Sequence, residues 1–358
     1  MQKKVAIVVL NHNGLHWLKT FLPLVCARSP QADCWVVDNG STDGSLAWLR
    51  QHMPEVACVA LGKNYGFCEG YNRGIGALPK QYDYFILLNS DACPAEGWLA
   101  PMIDLMDACP RIAACQPKVL RYNPEAENPF TSEFEYAGAA GGFIDRYGYP
   151  FCRGRLFNTC EIDRGQYDSP APVAWATGAC LCVRAADWEQ MGGFDPLFFA
   201  HMEEIDLCLR LWANGRSVYC VPASVVYHVG GGTLHKQNPQ KTYLNFRNSL
   251  FLLYKHLPPR QKQWQIFLRL LADAPAALAL SVQSCDLRHL WAVIKAHRSF
   301  YAHKKRLRVV SPSAWQKVTY PGSIVWNYFA RKKRRFSDLC WQLPFPEKQS
   351  TAPTQKTT

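Results

Sequence analysis

Four short apolar runs, each ending in a polar turn and each followed by a segment of helical character, constrain this chain more than any other feature. Val5 to Leu10 ends in Asn-His-Asn-Gly, Cys34 to Val37 in Asp-Asn-Gly-Ser, Val56 to Val59 in a Gly-rich loop, and Tyr84 to Leu88 in Asn-Ser-Asp. Runs without polar alternation predict strands buried on both faces. Between and after them, residues 15–28, Thr42 to Gln51, Asn72 to Leu78 and Ala95 to Ala108 read as helices. The alternation predicts an α/β fold with a doubly wound, mostly parallel sheet. Ligands of such sheets bind at the carboxyl ends of the strands, where Asn11, Asn13, Asp38, Asn64 and Asp91 fall.

Beyond the fourth run the pattern changes. Residues 121–172 are rich in Pro, Gly and aromatics without clear periodicity, and predict loops and short strands over the sheet edge, an acceptor-facing lid. From Leu244 onward apolar and basic residues interleave at helical spacing, as in Leu250, Phe251 and Tyr254 and again from Trp264 to Leu271. The expected division is a catalytic domain over 1–256, an appended helical module, basic and aromatic-rich, over 257–345, and a disordered tail over 346–358.

Charge divides the chain in a similar way. Of 40 Lys+Arg and 28 Asp+Glu, residues 241–358 hold 21 and 4, which leaves 19 and 24 for residues 1–240 and net charges of +17 and −5. A basic tail on an acidic body points to an anionic surface, with a merely solvated tail as the plainer alternative. Lys304-Lys305-Arg306-Leu307-Arg308 and Arg331-Lys332-Lys333-Arg334-Arg335, interleaved with Trp291, Trp315, Trp326, Tyr328 and Phe329, favour peripheral contact with anionic lipid. No nucleic acid is expected, because the first 240 residues are acidic and no binding motif occurs. The fifteen cysteines form no C-x-x-C pair, which predicts reduced thiols and a cytoplasmic location. The apolar run after Lys4 is short for a signal peptide, and Ala274 to Val282 is short for a span, so no transmembrane helix is expected.

Four motifs carry chemistry. Asp38, at a strand end, offers a carboxylate to a pyrimidine ring N–H, or else closes an Asx turn that leads into the next helix through Ser41 or Asp43. In Asn89-Ser90-Asp91, Asp91 suits one face of Mg²⁺ or Mn²⁺ whose octahedron phosphate oxygens complete, and an ordinary turn is the alternative. Glu203, Glu204 and Asp206 follow an aromatic cluster from Phe194 to Phe199. A carboxylate beside an apolar pocket suits a general base for a sugar hydroxyl. An i, i+4 pair of Asp206 with Arg210 and glutamates favoured by the helix dipole are the structural alternatives. His228 ends an apolar segment before Gly230-Gly231-Gly232-Thr233, a run suited to closing over phosphates, and is a candidate second metal or phosphate ligand.

As an ordered set these motifs, with Gly62-Lys63-Asn64-Tyr65-Gly66-Phe67, Gly70-Tyr71-Asn72-Arg73-Gly74-Ile75, Trp175-Ala176-Thr177-Gly178 and Asn245-Phe246-Arg247-Asn248, resemble the family 2 glycosyltransferases of GT-A fold. The resemblance covers residues 3–256 and is greatest to the rhamnosyltransferase-like branch that builds bacterial surface polysaccharides. It implies a GT-A-type sheet, a nucleoside-diphosphate sugar donor, a divalent metal (Mg²⁺ or Mn²⁺), and inverting transfer to a glycan or lipid-linked acceptor at the inner face of the cytoplasmic membrane. It further implies donor binding by Asn11, Asn13, Asp38, Asn64, Gly66, Asn72 and Asn89, an acceptor side at Trp175, Gly178 and Asp206, and a metal on Asp91 and His228. The base would be Glu203 or Glu204. Two departures matter: Asn89 stands where many relatives have Asp, which increases the need for His228, and Glu203-Glu204 replaces a Glu-Asp pair, with Glu204 aligned to the family's Asp. A nucleotidyltransferase, the rival enzyme class, expects a basic Gly-rich loop after the first strand, where this chain has Asn11-His12-Asn13-Gly14. No G-x-G-x-x-G follows that strand, and no P-loop occurs.

Overall fold

In the computed structural model, which describes residues 3–230 and 238–341, the apolar run at the N-terminus is a strand whose alternate side chains enter two different cores. The first half alternates β1 (Val5–Asn11), α1 (Leu15–Ala27), β2 (Asp33–Asp38), α2 (Ser45–His52), β3 (Ala57–Ala60), α3 (Gly66–Gly76) and β4 (Tyr84–Asn89). Val5, Ile7 and Val9 of β1 pack with Leu18, Leu22 and Val25 of α1, while Ala6 and Val8 pack with Tyr71 and Ile75 of α3. Helices therefore cover both faces, as the unbroken apolar runs predict. Gly74 allows α3 its close approach: a Cβ there would lie 2.4 Å from a methyl of Val37. The α3 helix starts well before the expected Asn72, because Gly66, at φ +81, lets the chain turn straight from the loop into the helix.

The second half completes a mixed sheet. It comprises β5 (Ala92–Pro94), α4 (Leu99–Ala108), β6 (Ile112–Tyr122), β7 (Phe130–Phe134), β8 (Gly142–Asp145), β9 (Pro150–Cys152), β10 (Arg155–Leu156), β11 (Thr159–Cys160), β12 (Ala171–Pro172), β13 (Cys180–Arg184), α5 (Ala185–Met191), α6 (Glu203–Ala213) and β14 (Ser217–His228). The main sheet runs in the order β12-β14-β6-β13-β4-β1-β2-β3, with β5 on β14 and β7 on β6. From β3 to β4 all pairs are parallel; β13 is antiparallel to both β4 and β6, and β14 is again parallel to β6. The stretch expected to hold loops and short strands forms a small second sheet from β8 to β11.

The C-terminal part consists of α7 (Pro239–His256), α8 (Pro259–Ser284), α9 (Arg288–His303), α10 (Ser313–Val318) and β15 (Thr319–Tyr320). Asn238 caps α7 through its side-chain oxygen, which accepts from the Gln240 N–H at 2.8 Å. The expected division at residue 256 has no counterpart in separate cores. The strand β15 joins β8, the Ile324 N–H donates to Asp145 at 2.9 Å, and Phe336 packs 5.0 Å from Phe143, all within one hydrophobic cluster. Trp315 and Tyr328, expected on a lipid-facing surface, are buried in that cluster, whereas Trp291, Trp326 and Phe329 are exposed. The expectation of no transmembrane helix meets one candidate among the described residues. By length and composition α8 is long and apolar enough to cross a bilayer, with 33% of its apolar window buried. The Ala274 to Val282 run understates it, because Arg269 and Asp273 pair with each other inside the helix at 2.7 Å. Gly231 to Thr233 and the 346–358 tail lie outside the described residues. All fifteen cysteines are free thiols.

Candidate active site

The strand ends bring Asn11 and Asp38 side by side, since they are register partners in the β1–β2 pair. Asp38 is buried; one carboxylate oxygen accepts from Asn11 Nδ2 at 3.2 Å and the other from the Ser41 N–H at 3.0 Å. The Asx turn is thus formed, by the same carboxylate the resemblance gives to the base. Asn11 Oδ1 is buried without a protein partner, and a Cβ on Gly14 would lie 2.6 Å from it. Asn13, exposed at φ 52, accepts from the Thr42 N–H at 2.7 Å and so ties the β1–α1 loop to the β2–α2 loop.

Asn39, which the sequence reading passed over as a turn residue, organises the opposite wall. Its Nδ2 donates to Gly66 O at 2.9 Å and Asn64 Oδ1 at 3.2 Å, and its Oδ1 accepts from the Tyr65 N–H at 2.9 Å. Asn64 in turn accepts from the Gly66 N–H at 2.8 Å. Asn72 does not join this wall. Its amide forms a two-way bridge with the Phe194 backbone, 2.8 Å to the carbonyl and 2.9 Å from the N–H, so it corrects from pocket residue to a tether of the segment before Glu203.

Across the sheet, β14 pairs with β5 in a register that sets His228 opposite Ala92, beside Asp91. His228 Nε2 lies 3.1 Å from Asp91 Oδ1 and 3.3 Å from Asn89 Nδ2, while Nδ1 forms an ion pair with Glu135 at 3.3 Å. Burial opposes charge on this imidazole, but Asp91 and Glu135 outweigh it and hold His228 well above the usual histidine range. Glu135 lies in the aperiodic stretch after β7, where no pattern marked it. Among the described residues no three His, Cys, Asp or Glu side chains form a ready-made metal cage. Asp91 fits a nucleotide-bound cation, since such ions take one or two protein ligands plus phosphate oxygens. His228, 3.1 Å from that carboxylate, can join it only as the neutral imidazole, so a cation there would have to displace the His228 proton.

Glu203 and Glu204 open α6, directly after a backbone held in unusual geometry: Phe199, His201 and Met202 have φ of 65, 69 and 70. Non-glycine residues rarely adopt such angles unless the surroundings over-determine them. Here they do. Asn248 Nδ2 lies 2.9, 2.8 and 2.7 Å from the carbonyl oxygens of Phe198, Ala200 and His201, and Arg247 reaches those of Leu197 and Phe198 at 3.0 and 2.8 Å. Phe199 O caps α3, accepting from the Phe67 and Cys68 N–H groups. Glu203 Oε2 and Glu204 Oε2 are buried with no protein partner. Burial, with Glu204 beside it, pushes Glu203 well above the carboxylate range; burial raises Glu204 to about 7 against backbone N–H groups that lower it.

The expected acceptor-side residues separate. A Cβ on Gly178 would lie 3.8 Å from Glu203 Oε1, and the next carbonyl, Ala179 O, accepts from the Asn89 N–H at 3.0 Å. The Thr177 to Ala179 segment therefore lies beside Glu203 and is bonded to the Asn89–Asp91 turn. Trp175 faces the interior instead, its indole N–H donating to Phe143 O at 2.8 Å. Asp206 is a buried hub, bound to Arg210, Lys255 and His256 at 2.9, 2.9 and 2.8 Å. Burial works against its charge, but Lys255 and Arg210 hold its carboxyl far below the ordinary range. It supports α6 rather than meeting an acceptor.

The fold that carries these strand ends and the buried glutamates is of GT-A type, and comparison with known proteins gives the class. The model for Glycosyl transferase family group 2 matches residues 84–330, and that for Glycosyl transferase family 2 matches residues 6–160. The chain belongs to the family 2 glycosyltransferases. Within them it is rhamnosyltransferase-like. It is 29% identical over 237 residues to the N-acetylglucosaminyl-diphospho-decaprenol L-rhamnosyltransferase of Mycobacterium tuberculosis, covering 63% of this chain and 76% of that protein. It is 26% identical over 229 residues to rhamnosyltransferase WbbL of Escherichia coli, covering 63% and 83%. The solved structure of GalNAc-T7 with UDP, GalNAc and Mn²⁺ shares the fold at a TM-score of 0.51 and 18% identity, over 63% of this chain and 43% of that one.

Proposed function

We propose that this glycosyltransferase moves a sugar, with inversion, from a nucleoside-diphosphate sugar to a hydroxyl of a glycan or lipid-linked acceptor in bacterial surface polysaccharide synthesis. A dTDP-rhamnose donor is the first to test, given the rhamnosyltransferases among its relatives. The observation that carries the reading is the pair of buried, partnerless glutamate oxygens set beside the segment that also contacts the Asn89–Asp91 turn. Asp38 and the Asn39–Asn64 wall receive the nucleoside. Asp91, with His228 once its proton is displaced, would hold Mg²⁺ or Mn²⁺, which when bound would neutralise charge on the departing diphosphate.

Glu204, raised to about 7, is matched to a base that works near neutral pH. It takes the acceptor proton as the hydroxyl oxygen attacks the anomeric carbon from the face opposite the leaving group. Positioning supplies most of the acceleration, and general base catalysis adds roughly 10²–10⁴. The enzyme works in the cytoplasm, peripheral to the inner membrane face. A thermal-shift screen of UDP-, dTDP- and GDP-sugars with Mn²⁺ or Mg²⁺ tests the donor assignment. No shift with any of them, together with no release of nucleoside diphosphate, ends it.

A further inference from the structure

The helix α8 is built inside out. A helix on the surface of a water-soluble protein turns its apolar stripe inward and its charges outward. In α8 the buried residues are Gln265, Ile266, Arg269, Asp273, Ala277 and Ser281, so Arg269, Asp273 and two further polar groups face the protein, and the other charges, Arg260 and Lys262, stand in the first turn. Arg269 pairs with Asp273 at 2.7 Å, His297 of α9 reaches the same carboxylate at 2.9 Å, and the Arg269 guanidinium lies 4.1 Å from the centre of the Tyr149 ring. The exposed side carries Trp264, Phe267, Leu271, Leu278 and Val282, each at least half exposed and set at helical spacing along one face. Between Trp264 and Val282 no exposed residue is charged. From Trp264 to Val282 this face is ~28 Å long.

The neighbouring α9 continues the surface with a different mix. Leu287, Trp291, Ile294 and Tyr301 are exposed at helical spacing, with Arg288, Lys295 and Arg298 exposed among them. A depression of about 510 Å³ opens there, lined by Trp291, Ile294, Lys295, Arg298 and Tyr243. Apolar patches this extended mark a surface that is covered in use. The charge beside it selects the cover: the two carboxylates in α8 and its turn to α9 are engaged, Asp273 by Arg269 and Asp286 by Arg288, which leaves exposed cations.

We propose that α8 and α9 form a monotopic membrane face, α8 lying along an anionic bilayer at acyl-chain level and α9 seating lipid phosphate at Lys295 and Arg298. The face deepens the reading of a membrane-side acceptor and rests on it only for its purpose. Its inward polar side and the cations of α9 set it in the bilayer surface, not across it. The α7 helix packs against both α8 and α9 and carries Arg247 and Asn248, the clamp on the loop before Glu203. Membrane contact is therefore one helix away from the glutamates.

Flotation of the full chain with phosphatidylcholine vesicles, with and without 30% phosphatidylglycerol, tests the proposal. We expect flotation with the anionic vesicles, at least a tenfold loss in Leu271→Glu/Leu278→Glu, and loss of the anionic preference in Lys295→Glu/Arg298→Glu. All four side chains are solvent-facing, so each variant keeps the wild-type Tm. Equal flotation of the Leu271→Glu/Leu278→Glu variant overturns the proposal. So does a wild-type dimer that ignores vesicles and that this variant makes monomeric, since the face would then join two copies of the chain. Donor-induced thermal shifts on the same preparations report separately on the transferase reading: a vesicle result without a donor shift sinks that reading alone.

Discussion

Replacing Asn248 with alanine removes the side chain that holds the loop in front of the two glutamates. Its Nδ2 carries two N–H groups for the three carbonyls it faces, so at least two buried bonds are lost. Each costs about 1–3 kcal/mol if its acceptor stays dry, an upper bound of about 6 kcal/mol for two. The loop has a way to escape that bound. Phe199, His201 and Met202 hold positive φ, a strain of about 1–3 kcal/mol each, and a released loop relaxes toward ordinary angles and takes up water. Relaxation restores stability at the expense of geometry. The expected outcome is a stability loss of about 2–3 kcal/mol, read as a fall in Tm of a few degrees, alongside a loss of at least ~10² in turnover because Glu203 and Glu204 are no longer positioned. Release of nucleoside diphosphate at saturating donor measures turnover, and thermal shift measures donor binding, which should change little. A variant whose Tm falls while turnover stays within threefold of wild type would refute the claim that the clamp serves catalysis.

Glu204→Gln should lower turnover by roughly 10²–10⁴ with donor binding intact, and wild-type turnover should fall as pH drops through about 7, where Glu204 takes up its proton. The same shift sets a sign for stability. A carboxyl raised from its ordinary value of 4.5 to about 7 makes the folded state bind the extra proton, so stability falls as pH rises across that window. Glu204→Gln should flatten that fall and raise Tm at pH 8; an unchanged pH–Tm profile would contradict the buried carboxyl. Asp91→Asn should abolish the difference between donor shifts measured with and without Mn²⁺, and a retained difference would remove Asp91 from the metal site. Lys255→Met should destabilise by about 3–5 kcal/mol, because it strands Asp195 and Asp206, now 2.6 and 2.9 Å from the ammonium. A Tm within a degree of wild type would show that Arg210 and His256 suffice.

The strand ends were legible because each apolar run stops where its strand does: Asn11, Asp38 and Asn89 are all terminal residues of β1, β2 and β4. Motif order carried the family. Roles that depend on a distant partner were not legible. Asn72 and Asp206 carry the same polar groups whether they meet a ligand or a backbone, and only the fold supplies Phe194 to one and Lys255 to the other. Glu135 sits where no periodicity separates a core carboxylate from a loop one. In α8 the apolar spacing predicts a helix, yet spacing is blind to which face looks outward, and only the fold shows that the Trp264 to Val282 stripe is exposed.

The pairing of β14 with β5 also bears on how the enzyme comes into being. Asp91 and His228 meet across 137 residues of chain, and the Arg247–Asn248 clamp is synthesised later still. Contacts of such separation form late, after loop closure has been overcome. A nascent chain that has emerged through α4 already owns Asp91 and the strand ends proposed to meet a nucleoside, but neither His228 nor the glutamates. Emergence of α7 is thus the last step of site assembly, and the unfinished chain has no means of consuming donor while it folds.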